Sequence, residues 1–468
     1  MEKHKVSIQA DRPADQQNPE SLIRKVINTS AFQNFFNTIS NGGFLLLAAA
    51  IAAFIWSNID AHSYHDFWHI EVRLTLGAYE LSHSLAHWVN DGLMTFFFFT
   101  VGLEIKREML VGRLSDLRTA ALPIAAAAGG MIFPALIYAV LNMGGYGLSG
   151  WGIPMATDIA FSLAILSTLG NRVPLGIRLF LTAFAIADDL GAILVIALFY
   201  TPQIHLDYLV AAALVCLCLF ILNRLWVKVG VVYLIFGALL WFMVGHSGLH
   251  ATITGVLVAA FIPARSRYDT SVFMRLVHER LEHIESESET GGHSVLTNPT
   301  HLEAVQAIHS ACGRVETPLQ RLEETLEPWI AYLVLPLFAL ANAGVVLGVL
   351  DLGAALSHPV TIGVGTGLAL GKPIGVTLFT WLATRMLRVE LIGGSSWQMI
   401  IGVGFLGGIG FTMSLFIAAL SFTDPILQEY AKIGIIIGSL IGGLCGYFLL
   451  RFASYGRAQT LNSRPMGQ

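Results

Sequence analysis

Thr182-Ala-Phe-Ala-Ile-Ala-Asp188-Asp189-Leu-Gly-Ala-Ile-Leu-Val-Ile-Ala-Leu-Phe-Tyr200 is an apolar run long enough to cross a bilayer, interrupted near its centre by two adjacent carboxylates. On insertion scales each acid at that depth costs roughly 2.5 to 3.5 kcal/mol, and packing alone gives no reason to place two there. Such groups face a water-filled cavity or a partner and mark ion or proton pathways. Successive helical residues point about 100° apart, so Asp188 and Asp189 cannot address one partner with equal geometry. The doublet therefore implies divided labour, with one acid facing an aqueous cavity and the other a neighbouring helix.

The rest of the chain supports a membrane setting. Of its 468 residues, 55% are hydrophobic and only 12% charged, with mean hydropathy +0.66. A soluble domain carries about 25% charge, so most of this chain belongs in a lipid bilayer. The net charge of -4 argues against nucleic acid as a partner. Apolar windows fall near 42–58, 88–105, 119–141, 147–170, 175–200, 207–223, 229–246, 248–263, 328–349, 360–384, 396–421 and 428–451. About twelve transmembrane helices make an all-α polytopic membrane protein, and an even count puts both termini on one side.

Lys and Arg crowd one set of connections, including Lys106, Arg107, Arg172, Arg178, Arg224, Arg275, Arg321, Arg385 and Arg451, whereas the other set keeps Arg73 and Lys432. That bias places both termini in the cytoplasm. The expected organisation is a 1–40 cytoplasmic extension with an interfacial amphipathic helix over Leu22–Ile39, then helices one to eight over 41–263 with an external hairpin at 60–84. A polar cytoplasmic loop at 264–327, helices nine to twelve over 328–452 and a 453–468 tail follow. The hairpin is read from His69-Ile-Glu-Val-Arg-Leu-Thr-Leu-Gly77-Ala-Tyr-Glu-Leu81, which alternates apolar and polar residues around a glycine. A lone hairpin is marginal in water, so a partner strand from a second copy is expected. In the polar loop, His278 and His283 stand five apart and do not share a helix face as metal ligands would.

Lys372, in Gly371-Lys372-Pro373, is the one lysine deep inside an apolar window and should pair with a carboxylate. Asp158 lies in Gly152-Ile-Pro154-Met-Ala-Thr157-Asp158-Ile-Ala-Phe-Ser162. Pro154 disfavours helix at Ile153, while Thr157 and Asp158 are good caps for a new half-helix. A second interrupted span is expected at Gly402-Val-Gly404-Phe-Leu-Gly407-Gly408-Ile-Gly410-Phe-Thr412-Met-Ser414. Glu104 and Glu108 share a helix face with Arg107 beside them, an acidic mouth that would concentrate cations and respond to pH.

In order along the chain, Asn90-Asp91-Gly-Leu-Met-Thr-Phe-Phe, Val101-Gly-Leu-Glu104-Ile-Lys-Arg-Glu108, Ala156-Thr157-Asp158-Ile-Ala-Phe, Ala187-Asp188-Asp189-Leu-Gly-Ala, Ser247-Gly-Leu-His250-Ala-Thr, Gly371-Lys372-Pro373 and Gly407-Gly-Ile-Gly-Phe-Thr-Met-Ser414 form an ordered set. From about residue 40 to 452 the chain resembles the NhaA-type bacterial sodium/proton antiporter family, one of those from which the rule linking interrupted helices to transport sites was drawn. The resemblance implies inverted repeats made of helices three to five and ten to twelve, crossing half-helices in the fourth and eleventh, and a homodimer through the hairpin. It implies that Asp189 binds sodium and a proton in turn, that Asp188 is a second proton-linked acid paired with Lys372, and that Asp158 and Thr157 sit at the crossing. Glu104, Arg107 and Glu108 match the region tied to pH response. The chain departs from the family in its long N-terminal extension, in its long polar loop, and at Glu324 and Glu327, where histidines are expected.

Sodium is a hard cation that takes oxygen ligands, and a proton competes for the same carboxylate. If sodium displaces protons from both Asp188 and Asp189, exchange is electrogenic. The expected activity is Na+/H+ antiport expelling Na+, and Li+, from a bacterial cell through its inner membrane by alternating access, with no cofactor. Two alternatives use the same features: an intramembrane aspartyl protease, or a sodium-coupled organic-anion symporter. Against the protease, the chain has no Gly-x-Gly-Asp at either acid site.

Overall fold

Among the described residues of the computed structural model, eight helices are long and apolar enough to cross a membrane, and two helix pairs bent by 42° and 45° at short breaks bring the number to as many as ten. The structure describes residues 31–462 apart from 77–78, 201–204, 228, 265–272, 276, 280–298, 349–350, 389–390 and 392–394. Leu22 to Ser30 of the expected surface helix and His283 of the polar loop lie outside the described residues.

The remaining two apolar windows are helical but do not stand alone as crossings. The 88–105 window becomes a π turn, Trp88–Leu93, running into the helix Met94–Leu110, which carries Glu104, Lys106, Arg107 and Glu108. The 248–263 window holds only the nine-residue helix Ile253–Phe261. The first span begins earlier than its apolar window and runs unbroken over Ala31–Ile59. The last runs over Pro425–Asn462.

A larger difference lies in the polar stretch. Among the described residues, the helices Pro299–Val315 and Pro318–Trp329 form there. Thr317 Oγ1 accepts the Gln320 N–H at 3.1 Å, and Gln320 Oε1 accepts the Thr317 N–H at 3.3 Å. This capping box, with Pro318 at the first helical position, starts the helix ten residues before its apolar window. The helix continues through a π turn at Ile330–Val334 to Asn342. Glu323 and Glu327 are thereby carried on the same candidate membrane span as the ninth apolar window.

The expected hairpin forms from β1 (Glu71–Leu76) and β2 (Tyr79–Ser84), antiparallel in the register Glu71↔Ser84 to Leu76↔Tyr79. Arg73 Nη2 donates to Glu71 Oε2 at 2.9 Å, and the guanidinium holds that carboxyl below its ordinary range.

Burial ranks the helices. In its most apolar window the acid-doublet helix, Leu175–Phe199, is 67% buried, against 17% for Leu206–Arg224 and 22% for Gly230–Ser247. The doublet helix is central, and the other two present most of their surface to lipid. Two triplets share one order, a long helix, a bent pair and another long helix. They are Leu117–Leu141, Tyr146–Met155 with Ile159–Thr168, and Leu175–Phe199; then Pro359–Leu387, Trp397–Gly407 with Phe411–Ser421, and Pro425–Ser454. The leading helices of the triplets pack so closely that a Cβ at Gly129 or Gly375 would run into the other's carbonyl oxygen. Glycine at both positions lets the backbones meet, and this brings Lys372 into the core.

Candidate functional site

The two breaks cross each other, and one carboxylate holds the crossing. Met155 ends the first half-helix one residue after Pro154, and Ala156 is extended (φ -74°, ψ 148°), as is Asp158 (φ -92°, ψ 100°). Asp158 Oδ1 accepts the Phe161 N–H at 3.1 Å, capping Ile159–Thr168. Its Oδ2 accepts both the Thr412 N–H at 3.0 Å and the Thr412 hydroxyl at 2.6 Å, at the start of Phe411–Ser421. A buried negative charge thus sits where two half-helices present free N–H groups and their positive dipole ends.

The irregular backbone is satisfied inside protein, as this depth requires. Asp158 N–H donates to the Ile409 carbonyl at 2.6 Å. The Thr157 hydroxyl donates to Gly407 O at 2.9 Å and the Ser162 hydroxyl to Leu406 O at 2.7 Å. Only glycine fits at 408, because a Cβ there would strike the Leu368 carbonyl oxygen.

On the doublet helix the two acids part company. Lys372 Nζ donates to Asp188 Oδ2 at 2.7 Å, and both side chains are 0% exposed. It also donates to the carbonyl oxygen of Met155, where the first half-helix ends. The cation therefore faces the negative end of one half-helix, as Asp158 faces the positive ends of two.

Asp189, also buried, has an Oδ2 with no hydrogen-bond partner among the described residues. It lines a cavity of about 80 Å³ together with Thr157, Asp158 and Thr412 of the crossing and with Glu104, Glu323 and Glu327. That volume has room for several waters. Its polar lining consists of carboxylates and hydroxyls, the oxygen donors a hard cation takes. Arg107 borders the set, its Nε 3.1 Å from Glu323 Oε1.

The Na+/H+ antiporter 1 family matches residues 33–450 of the chain. The chain belongs to this family. It is 47% identical over 427 residues to the Na(+)/H(+) antiporter NhaA of Oleidesulfovibrio alaskensis, covering 91% of this chain and 94% of that protein. It is 45% identical over 426 residues to that of Koribacter versatilis, covering 90% and 91%. Against that of Salmonella arizonae it is 43% identical over 424 residues, covering 90% and 97%.

In this Na+/H+ antiporter 1 member, Asp158, Thr157, Asp188, Asp189 and Lys372 meet at one centre although they come from three helices. Glu104 reaches the cavity; Glu108 does not line it and stands 3.8 Å from Arg107. Three lining residues, Thr412, Glu323 and Glu327, were not singled out as site residues from sequence. The signal for the two glutamates was the capping box at Thr317 followed by acids four apart. His250, to which the sequence assigned no role, hydrogen-bonds through Nε2 to the Tyr200 carbonyl at 2.7 Å, just beyond the doublet helix.

Proposed function

We propose that this chain is a secondary transporter, not an enzyme, that exchanges Na+ for H+ by alternating access. The observation that carries the reading is the split doublet. Asp189, whose Oδ2 has no hydrogen-bond partner among the described residues, lines the cavity with Thr157, Asp158, Thr412 and three glutamates, while Asp188 is held by a buried lysine. Sodium and proton compete for Asp189, and cation entry beside the Asp188–Lys372 pair promotes release of a second proton, which makes the exchange electrogenic. Asp158, Thr157 and Thr412 hold the crossing so that the half-helices tilt as a unit, and Glu104, Arg107, Glu108, Glu323 and Glu327 form the acidic mouth.

The cavity mouth opens to the cytoplasm in this reading, with both termini on that side of a bacterial inner membrane, and Li+ is a second cargo. Two copies pair through β1 and β2, and replacing the hairpin by a short linker should yield monomers in detergent. A protease is disfavoured because Asp188 is bound to lysine rather than sharing a proton with a second acid. The deciding test is proton flux across sealed vesicles holding the purified chain after addition of Na+, Li+ or K+. Proton release on Na+ is expected, and organic-solute uptake without proton counterflow would replace the reading with symport.

A further inference from the structure

An apolar groove of about 530 Å³ lies between Ala31–Ile59, Ile159–Thr168 and Pro425–Asn462. It is several times roomier than a cavity of about 150 Å³ that admits benzene. Along the last helix it runs from Ile436 to Tyr447, eleven residues or about 16 Å at 1.5 Å per residue. Its walls include Leu47 and Leu440, 45% and 61% exposed, so it opens sideways to lipid rather than to an aqueous mouth.

Two observations say what fills it. At one end the Arg451 guanidinium lies 6.0 Å from the Tyr447 ring, with Nη1 donating to the Tyr447 hydroxyl at 3.3 Å. Arg451 is exposed and pairs with no carboxylate among the described residues, and the Gly170–Arg172 turn, also ending in an exposed arginine, packs against the same helix. The groove thus ends at positive charge lacking an anion. The second is the floor of the groove. Phe161, Ile409 and Phe411 line it together with Ser439, and Ser439 Oγ accepts the Gly410 N–H at 3.3 Å. The groove floor is therefore the back of the helix crossing that carries Asp158.

We propose that this groove binds one anionic phospholipid, an acyl chain lying against Ile409 and Phe411 and the phosphate on Arg451, so that the lipid braces the crossing. An acyl chain matches the dry, elongated walls, and a phosphate matches a guanidinium fork held by a tyrosine. The lipid's effect on transport rests on the antiport reading above; its binding does not.

Native mass spectrometry of the full chain, delipidated and titrated with phosphatidylglycerol or phosphatidylcholine, tests it. The expected result is one phosphatidylglycerol retained in preference to phosphatidylcholine. Retention should fall several-fold in Arg451→Gln and in Leu440→Trp, which puts an indole into the groove, and stay unchanged in Arg385→Gln, whose guanidinium stacks on Trp381 away from the groove. Equal retention of the two lipids, or wild-type retention in both Arg451→Gln and Leu440→Trp, overturns the proposal. So does a dimer that dissociates in Leu440→Trp while lipid stays bound, which would put a second copy there. In reconstituted vesicles, Na+-driven proton flux should rise with added phosphatidylglycerol in the wild type and not in Arg451→Gln. Flux absent in every lipid would count against antiport while the binding result stood.

Discussion

Lys372 Nζ lies 2.7 Å from Asp188 Oδ2 with both side chains fully buried, and the next residue in the chain, Asp189, stays out of the pair. A buried ion pair contributes little over an apolar replacement, but removing one partner strands the other. Lys372→Ala should therefore lose about 3 to 5 kcal/mol of stability. Adding Asp188→Asn in the same chain should restore part of it. Thermal unfolding in detergent reads both, and a Lys372→Ala variant melting like the wild type would refute the pairing.

Asp189→Asn keeps the size of a side chain whose Oδ2 makes no hydrogen bond among the described residues. It should unfold near the wild-type temperature yet show no Na+-induced proton movement. Exchange at the wild-type rate would remove Asp189 from the ion path.

Because proton and cation share a carboxylate, acid on the cavity side should weaken apparent Na+ affinity. Once the carboxylates titrate, the apparent KM should climb by about tenfold per pH unit for each proton displaced. The sign is fixed by mass action, since lower pH fills the site with protons. A KM for Na+ that stays flat across the active pH range excludes the shared site.

Thr412→Val removes the 2.6 Å hydroxyl bond to Asp158 but leaves the backbone N–H bond in place. A hydrogen bond to a charged group is worth about 1.5 to 3 kcal/mol, so destabilisation of that order is expected, with Thr412→Ser close to wild type. If valine is tolerated as well as serine, the crossing does not depend on this bond.

Arg107 stands beside Glu323 at the cavity border. Replacing it by Gln withdraws the cation that favours the ionised form of the acidic set, so activity should set in at higher pH. The displacement should reach up to about one unit, read from flux against pH, and a profile moved the other way would contradict the assigned polarity.

Much of this was legible in the sequence because lipid leaves few choices. A bilayer forces apolar helices, and an ionisable residue within one has to turn inward. Asp158, Asp188, Asp189 and Lys372 were therefore identifiable by depth alone. The strand alternation around Gly77 and the breaks after Pro154 and at Gly407 to Gly410 were local signals of the same strength. The Pro318 helix start was also written locally, in Thr317 and Gln320, but the polar stretch around it hid Glu323 and Glu327.

Helix geometry in the sequence left open which member of the doublet takes the lysine; the family resemblance pointed to Asp188, and the tertiary structure shows why it is that one. Adjacent helical positions diverge by about 100°, and the helix's rotation against its neighbours, set by packing such as Gly129 on Gly375, determines which one meets Lys372. The same holds for Thr412 reaching Asp158 from 254 residues away. Local sequence sets how each segment folds and what it must bury; which buried groups touch follows from how whole helices dock.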